Sequence, residues 1–575
     1  MKINVVVSFL SVLLVVAYLF VMQIEVDEIG SDMASFIPDT ALLYFEQQDG
    51  SKALSRFVAS PLGKHFEALD LVATGEKIGI STTALASINE FISGYKRLKD
   101  NTLFHELLGK RFALAVLTPL QNQNYSTVKD FFKLNAVVVV HPHHNTGLLE
   151  FLAENYSRYS EGVSITTTQY GNHHIKRIKK GNLNVSLVGI EGHFLVSENE
   201  RQLRKCIDTY DDERVAVADN KIFLAVRENF DAPDRYLYLP VDRLRGFLTD
   251  FVKNNIMAGR ELFLKELHTT LGFTGFGFGA WSREESVVDK VIVTYDTEEV
   301  NSHVKNYLDV VPSKSSMLSL STPEPMVYYW SNTLDFNNFL LYASDEKSSD
   351  PRLIRFIETI EETAGKSAEE ILSLLGGEVS LVLEPGAKEN YFPFPLGVVF
   401  VKVDRVEDLE KLFQLLLEKY DVPVNSTTYG EARYVYWKLS PQDGLQPLYG
   451  FWQDMVFFGN SSKLLRKIID VNGDDNFFPD GPEVKGIDPG IKGKNNSISY
   501  FNNLELIKVV QGTLGMIGTL VGIEDRRAAM NIRILRDEVI SPILEGLTMY
   551  DRSITRSYFT RDMVIVDSIT HINLK

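Results

Sequence analysis

The chain repeats itself. Residues 107–119 read LLGKRFALAVLTP and residues 374–386 read LLGGEVSLVLEPG, while LVSENERQLRKCID at 195–208 is answered by FFGNSSKLLRKIID at 457–470. An internal repeat on this scale constrains the fold more than any single motif, because each copy must bury its own core on a shared topology. It also supplies a control: a residue needed for a chemistry common to both copies should stand in both. Shorter matches extend the alignment. Residues 41–45 resemble 326–330, the four valines at 137–140 match 398–401, and Tyr170-Gly171 matches Tyr429-Gly430. Arg204-Lys205 and Asp208 match Arg466-Lys467 and Asp470, residues 236–239 match 497–500, and Ser282-Arg283-Glu284 matches Thr560-Arg561-Asp562. The offset holds near 260 from the valine strand to the Tyr238 strand and then grows by roughly 17, which marks an insertion in the second copy.

Each copy reads as mixed α and β. Short apolar or alternating runs at 111–118, 134–141, 184–190, 193–197, 234–239, 272–281 and 286–296 are expected strands of the first copy, and 554–559 and 563–572 close the second. Helical patterns intervene: residues 146–160 place Leu148, Leu149, Leu152 and Tyr156 on one face, and 406–420 place Leu409, Leu412, Phe413 and Leu416 likewise. Asp404 and Glu407 have capping-box spacing. Short turns near Gly181-Asn182 and Glu191-Gly192 favour antiparallel pairing, hence an α+β fold of two homologous lobes, each a mainly antiparallel sheet with packed helices. The expected domains are a signal anchor at 1–28, copy one at 29–305 and copy two at 320–575. Pro312 to Ser316 is the expected linker, and the Gly-, Asp-, Asn- and Pro-rich stretch 471–496 is an expected surface excursion.

Residues 3–24 are apolar and uncharged, long enough to cross about 30 Å of hydrocarbon. Lys2 precedes them, and Glu25, Asp27 and Glu28 follow, which orients the N-terminus to the cytoplasm. No small-residue cleavage site ends the run, so an uncleaved anchor is expected, with the bulk of the chain in a bacterial periplasm. Cys206 is the only cysteine, so no intramolecular disulfide can form. The net charge of −17, from 59 Lys and Arg against 76 Asp and Glu, argues against a nucleic-acid partner.

Every chemical-looking cluster fails the repeat control. His141-Pro142-His143-His144, with His173-His174 downstream, is the most metal-like, but the matching positions are Lys402, Val403, Asp404 and Arg405. Asp470 to Asp475 begins like a calcium loop yet lacks the glycine and glutamate such a loop requires. Gly365-Lys366-Ser367 lacks the earlier glycine of a phosphate loop, and Cys206 is matched by Ile468. No catalytic residue, cofactor site or metal site is assigned.

Two apolar features remain. Gly275, Gly277 and Gly279 alternate with larger residues in GFTGFGFG and leave one strand face bare, either as a groove beside Phe276 and Phe278 or for a closely packed helix, the preferred reading. Residues 504–523 carry no charge after Lys508, and Gly512, Gly515, Gly518 and Gly522 recur at three- and four-residue spacing. Such a stripe admits close approach of another helix. A core helix on its own sheet is the preferred reading; an exposed face for a partner or lipid, and a second membrane span, are the alternatives.

Residues 37–44 (IPDTALLY), soon after the anchor, and Leu107-Leu108-Gly109 leading into an apolar strand resemble a family of bacterial membrane-anchored envelope proteins catalogued as a domain of unknown function. The resemblance implies an exported, membrane-anchored protein and transfers no catalytic residue. The expected role is a non-enzymatic scaffold or protein-binding protein of the envelope. The alternative is a periplasmic carrier or chaperone for a lipid or other apolar ligand, using the glycine-striped helix and the Phe276/Phe278 region; a hydrolase with dispersed residues ranks third.

Overall fold

A computed structural model describes residues 32–99, 110–120, 128–141, 163–180, 183–255, 260–335, 351–386, 394–421, 423–438, 446–472 and 478–573. The apolar run 3–24, the 146–160 helix, the turn at 181–182, and His143 and His144 lie outside these residues. The chain divides into two compact units, Met1–Asn301 with Asp562–Ile565, and Ser302–Arg561 with Val566–Lys575.

The first unit contains β1 (Ala41–Gln47), β2 (Phe112–Leu117), β3 (Ala136–Val140), β4 (Val163–Tyr170), β5 (His173–Lys180), β6 (Leu183–Ile190), β7 (His193–Ser197), β8 (Arg235–Pro240), β9 (Phe273–Ser282) and β10 (Ser286–Tyr295). They pair antiparallel in the order β4-β5-β6-β7-β3-β2-β1-β8-β9-β10. Alternation sets the buried face: Tyr44 on β1, Ala113 and Ala115 on β2, and Val137 and Val139 on β3 have no exposed surface. Onto this unit's core pack α1 (Glu200–Tyr210), through Leu203, Cys206 and Ile207, and α2 (Lys221–Arg227), through Phe223 and Val226. Burying a side chain of this kind contributes about 1.5–3 kcal/mol. Glu191 and Gly192 both have positive φ in the two-residue turn joining β6 to β7, the geometry that matches strand twist.

The second unit contains β11 (Val327–Ser331), β12 (Leu375–Glu384), β13 (Leu396–Val403), β14 (Asn425–Tyr429), β15 (Ala432–Tyr436), β16 (Leu448–Trp452), β17 (Met455–Gly459), β18 (Ser497–Asn502), β19 (Tyr550–Phe559) and β20 (Met563–Ile572). Its order is β14-β15-β16-β17-β13-β12-β11-β18-β19-β20, the order of the first unit strand for strand. The structure shifts the sequence alignment by one residue at two strands. Tyr44 faces Tyr238 across β1 and β8, and Tyr328 faces Tyr500 across β11 and β18. All four are buried, whereas Tyr329, which the sequence match sets against Tyr44, is 37% exposed. A one-residue slip exchanges the two faces of a strand, so burial decides the register. The corrected offset also pairs Met33 with Met317, both fully buried.

Three expectations are revised. The stretch 471–496 is not a surface excursion over its described part: Phe478, Val484, Ile487 and Ile491 are core residues. The Nδ2 of Asn495 donates to the carbonyls of Ile491 and Gly493, which closes the loop on itself. Apolar residues spaced through a polar sequence anchor it. Ser313 is no free linker, since its N–H and C=O both bond to Asn495. The Val406–Lys419 helix forms as expected, with Leu409 and Leu412 buried, but its N-cap is Arg405 and no capping box is made there. A capping box occurs instead at Ser367 and Glu370, just after Gly365 (φ +62) has ended the preceding helix. Strands β4 and β14 escaped the sequence reading because their polar, largely exposed side chains carry no hydrophobic period, and their partners β5 and β15 were missed with them although Ile175, Ala432 and Tyr434 are buried.

The best-matched polar residues form one arrangement in each unit. Gly171 and Gly430 turn the outer hairpins with φ of +54 and +56, a region open to glycine without cost. Beside them Tyr170 Oη donates to Asp208 Oδ1 at 2.8 Å, with Arg204 4.6 Å from the ring centre. In the second unit α5 (Ser462–Val471) supplies the partners: Tyr429 Oη donates to Asp470 Oδ1 at 2.8 Å, with Arg466 5.1 Å from the ring. The carboxylate acceptor raises both phenol pKa values. What the repeat keeps is therefore a clamp between hairpin and helix.

Candidate interaction surface

Between β8 and β9 the first unit inserts a helical hairpin, α3 (Val241–Asn255) and α4 (Arg260–Thr269). The second unit inserts a longer one between β18 and β19: α6 (Asn503–Glu524), α7 (Arg526–Leu535), a π-helical turn Arg536–Ile540 and α8 (Ser541–Leu547). Residues 503–549 thus replace residues 241–272, and the insertion foreseen from the offset is this lengthened hairpin.

Local chemistry sets the hairpin's ends. Asn502 caps α6 by accepting from the Glu505 N–H at 3.2 Å, and Lys508 pairs with Glu505 at 2.6 Å on the first turns. Asp525 ends α6 and caps α7, its Oδ1 accepting from Arg527 N at 2.9 Å and Ala528 N at 3.0 Å. An ideal Cβ on Gly515 would lie 3.4 Å from Arg536 Nη1, on Gly518 3.6 Å from Ile532 Cγ2, and on Gly522 3.4 Å from the Ala529 Cβ. Three of the four striped glycines therefore face the return arm of the hairpin, and Gly512 is exposed.

The preferred core-helix reading is not what the structure shows. Asn503–Ile523 is long and apolar enough to cross a membrane by length and composition, yet only 6% of its apolar window is buried. Gly518 and Gly522 face α7 and Gly515 faces the π-helical turn that follows it. The opposite side presents Val510, Ile517, Leu520 (50% exposed) and Ile523 (79%), and α7 adds Met530 (63%). Arg526, Arg527 and Arg533 stand on α7, which has no acidic residue of its own.

The other apolar candidate resolves as helix packing. A Cβ on Gly277 would meet Val226 Cγ1 at 2.2 Å, and one on Gly279 would meet Phe230 Cδ1 at 2.3 Å. The bare face of β9 is filled by α2 and Phe230. Phe278 is buried and Phe276 is half-buried, both on the other face of the strand.

No group of three metal-ligating side chains occurs among the described residues. The rings of His141 and His193 lie 4.9 Å apart, and burial lowers both pKa values. His173 pairs with Asp211 at 3.1 Å. Burial pushes the Cys206 thiol up to about 12, so it is no nucleophile. Glu46, Asp234, Asp289 and Asp551 are buried carboxylates that the sequence did not single out. Asp289 on β10 and Arg235 on β8 flank Ala280 of β9 in register, and both are buried. Burial pushes the Asp289 carboxyl up to about 7, against the pull of Arg235. The signal was present in the repeat: VVD at 287–289 matches IVD at 565–567, where Asp567 takes Arg556 at 2.8 Å.

The family comparison covers most of this framework. The family described as Protein of unknown function (DUF3352) matches residues 105–524. The chain belongs to this family. The matched region begins before β2 and ends at the last residue of α6, so the family's shared part includes the apolar arm of the hairpin and stops before α7. No curated protein matches the chain. Among solved structures, crystal forms III and I of TP0453 are similar at 10% identity with a TM-score of 0.23, covering 48% and 49% of this chain and 85% of that chain. At that score the likeness carries no fold assignment.

Proposed function

We propose that this member of the family is a non-enzymatic, membrane-anchored binding protein of the bacterial envelope. Two units related by duplication serve as its scaffold, and the α6–α7 hairpin is its contact surface. The observation that carries the reading is the uncharged stretch from Val509 to Ile523, which contains no fully buried residue and leaves Val510, Ile517, Leu520 and Ile523 exposed on a chain whose net charge is −17. Contiguous exposed apolar surface of this kind marks an interaction site. In this reading residues 3–24 are an uncleaved anchor in the inner membrane and both units lie in the periplasm, in keeping with the uncharged run behind Lys2 and the lone cysteine. The residues matched between units hold hairpins, helices and strands together, which suits a scaffold.

The test is a chain carrying Leu520→Glu and Ile523→Glu. Both side chains are exposed, so circular dichroism and the protection of Cys206 should be unchanged. Species cross-linked to the wild-type chain in its native membranes should be lost. Their retention by the folded variant contradicts the proposal.

A further inference from the structure

The hairpin's chemistry names its partner class. Its counterpart in the first unit occupies the same place in the same strand order, yet α3 carries Asp242, Arg243, Arg245, Asp250 and Lys253 along 15 residues. The fold therefore does not require an apolar arm between these strands. α6 is 22 residues long, about 33 Å, and lacks any charge between Lys508 and Glu524. α7 reverses the character of the surroundings. On an acidic chain it bears Arg526, Arg527 and Arg533, interleaved with Met530, Ile532 and Ile534. Arg526 and Arg527 are exposed and make no ion pair among the described residues. Exposed apolar side chains beside unpaired arginines are the composition of a helix that lies at the boundary between lipid headgroups and acyl chains.

Resting on the contact-surface reading, we propose that the α6–α7 hairpin docks on an anionic phospholipid bilayer. Leu520, Ile523 and Met530 enter the acyl boundary, and Arg526 and Arg527 engage phosphate headgroups. The hairpin lies along the surface, because Glu524, Asp525, Arg526 and Arg527 at its tip oppose tip-first entry into hydrocarbon. The chain thus holds a second membrane contact, separate from its N-terminal anchor. A protein partner or a second copy of the chain would instead cover the same face without lipid contact.

The test uses the full chain reconstituted in vesicles of phosphatidylcholine alone or with phosphatidylglycerol. Leu520→Cys is labelled with an environment-sensitive fluorophore, and Leu224→Cys, exposed on α2 of the first unit, is the control; buried Cys206 does not react. Nitroxide-bearing lipids should quench the probe at 520 several-fold more than at 224, and more in anionic than in neutral vesicles. Arg526→Glu with Arg527→Glu should remove the anionic preference. Equal quenching at 520 and 224 overturns the proposal, as does quenching at 520 indifferent to lipid charge. If position 520 is unquenched here but shielded in native membranes, the lipid partner is wrong and the contact surface stands. If it is accessible in both settings, both fail.

Discussion

Asp289 should make the first unit less stable as pH rises. Its carboxyl, 6% exposed, sits on β10 with Arg235 two strands away, and burial lifts its pKa from 3.8 to about 7. The folded state thus holds a proton that the unfolded chain releases near pH 4. The stabilisation is fully present below that value and is lost as pH rises through about 7. A gap of about 3 units corresponds to at most about 4 kcal/mol. Asp289→Asn replaces the carboxyl by a neutral group of the same shape and should abolish this part of the slope. Asp234, whose carboxyl burial lifts to about 6, contributes in the same direction to both chains and drops out of the comparison. The assay is urea unfolding at several pH values, read by brief thiol labelling at one fixed pH. Cys206 is the chain's only cysteine and is buried in the first unit, so its labelling reports that unit alone. Between pH 4 and 8 the wild type should lose about 2–4 kcal/mol relative to the Asn variant. Parallel pH profiles would refute the buried, protonated carboxyl.

Other substitutions test other parts of the account. Tyr170→Phe and Tyr429→Phe should each lower the urea midpoint of their own unit, since each removes one hydrogen bond to a carboxylate. Gly277→Ala puts a Cβ 2.2 Å from Val226 Cγ1 and should cost the first unit about 1–3 kcal/mol by overpacking, read by Cys206 labelling in urea. Gly518→Ala has room at 3.6 Å from Ile532 and should be neutral or stabilise α6 by up to about 1 kcal/mol, whereas Gly518→Leu should loosen the hairpin, as hydrogen exchange over residues 503–535 will register.

Much of the framework was legible in the sequence. The apolar strands β2, β3, β7, β8, β9 and β10 announced themselves by hydrophobic period, and the repeat foretold that two sets of strands would share one order. The polar hairpins were missed because both faces of β4 and β14 are largely solvated, which erases the period. Register failed at β1 and β8 because runs such as LLYF and VYYW match equally well one residue apart; only burial of Tyr44 and Tyr328 separates the choices. The glycine stripe was legible as a helix contact but not as a contact with α7, because sequence spacing fixes which residues share a face and not what meets it. The exposure of Leu520 and Ile523 was beyond the sequence for the same reason: an uncharged helix reads alike whether core or surface covers it.

The central claim is that something covers the outer face of α6 where the protein works. Leu520→Cys, probed with a water-soluble thiol reagent, tests this directly. The account predicts that position 520 is shielded in native membranes and reacts freely once the chain is purified in detergent and the detergent exchanged for a non-lipidic polymer, with Leu224→Cys reactive in both. Equal, full reactivity of position 520 in native membranes would contradict it.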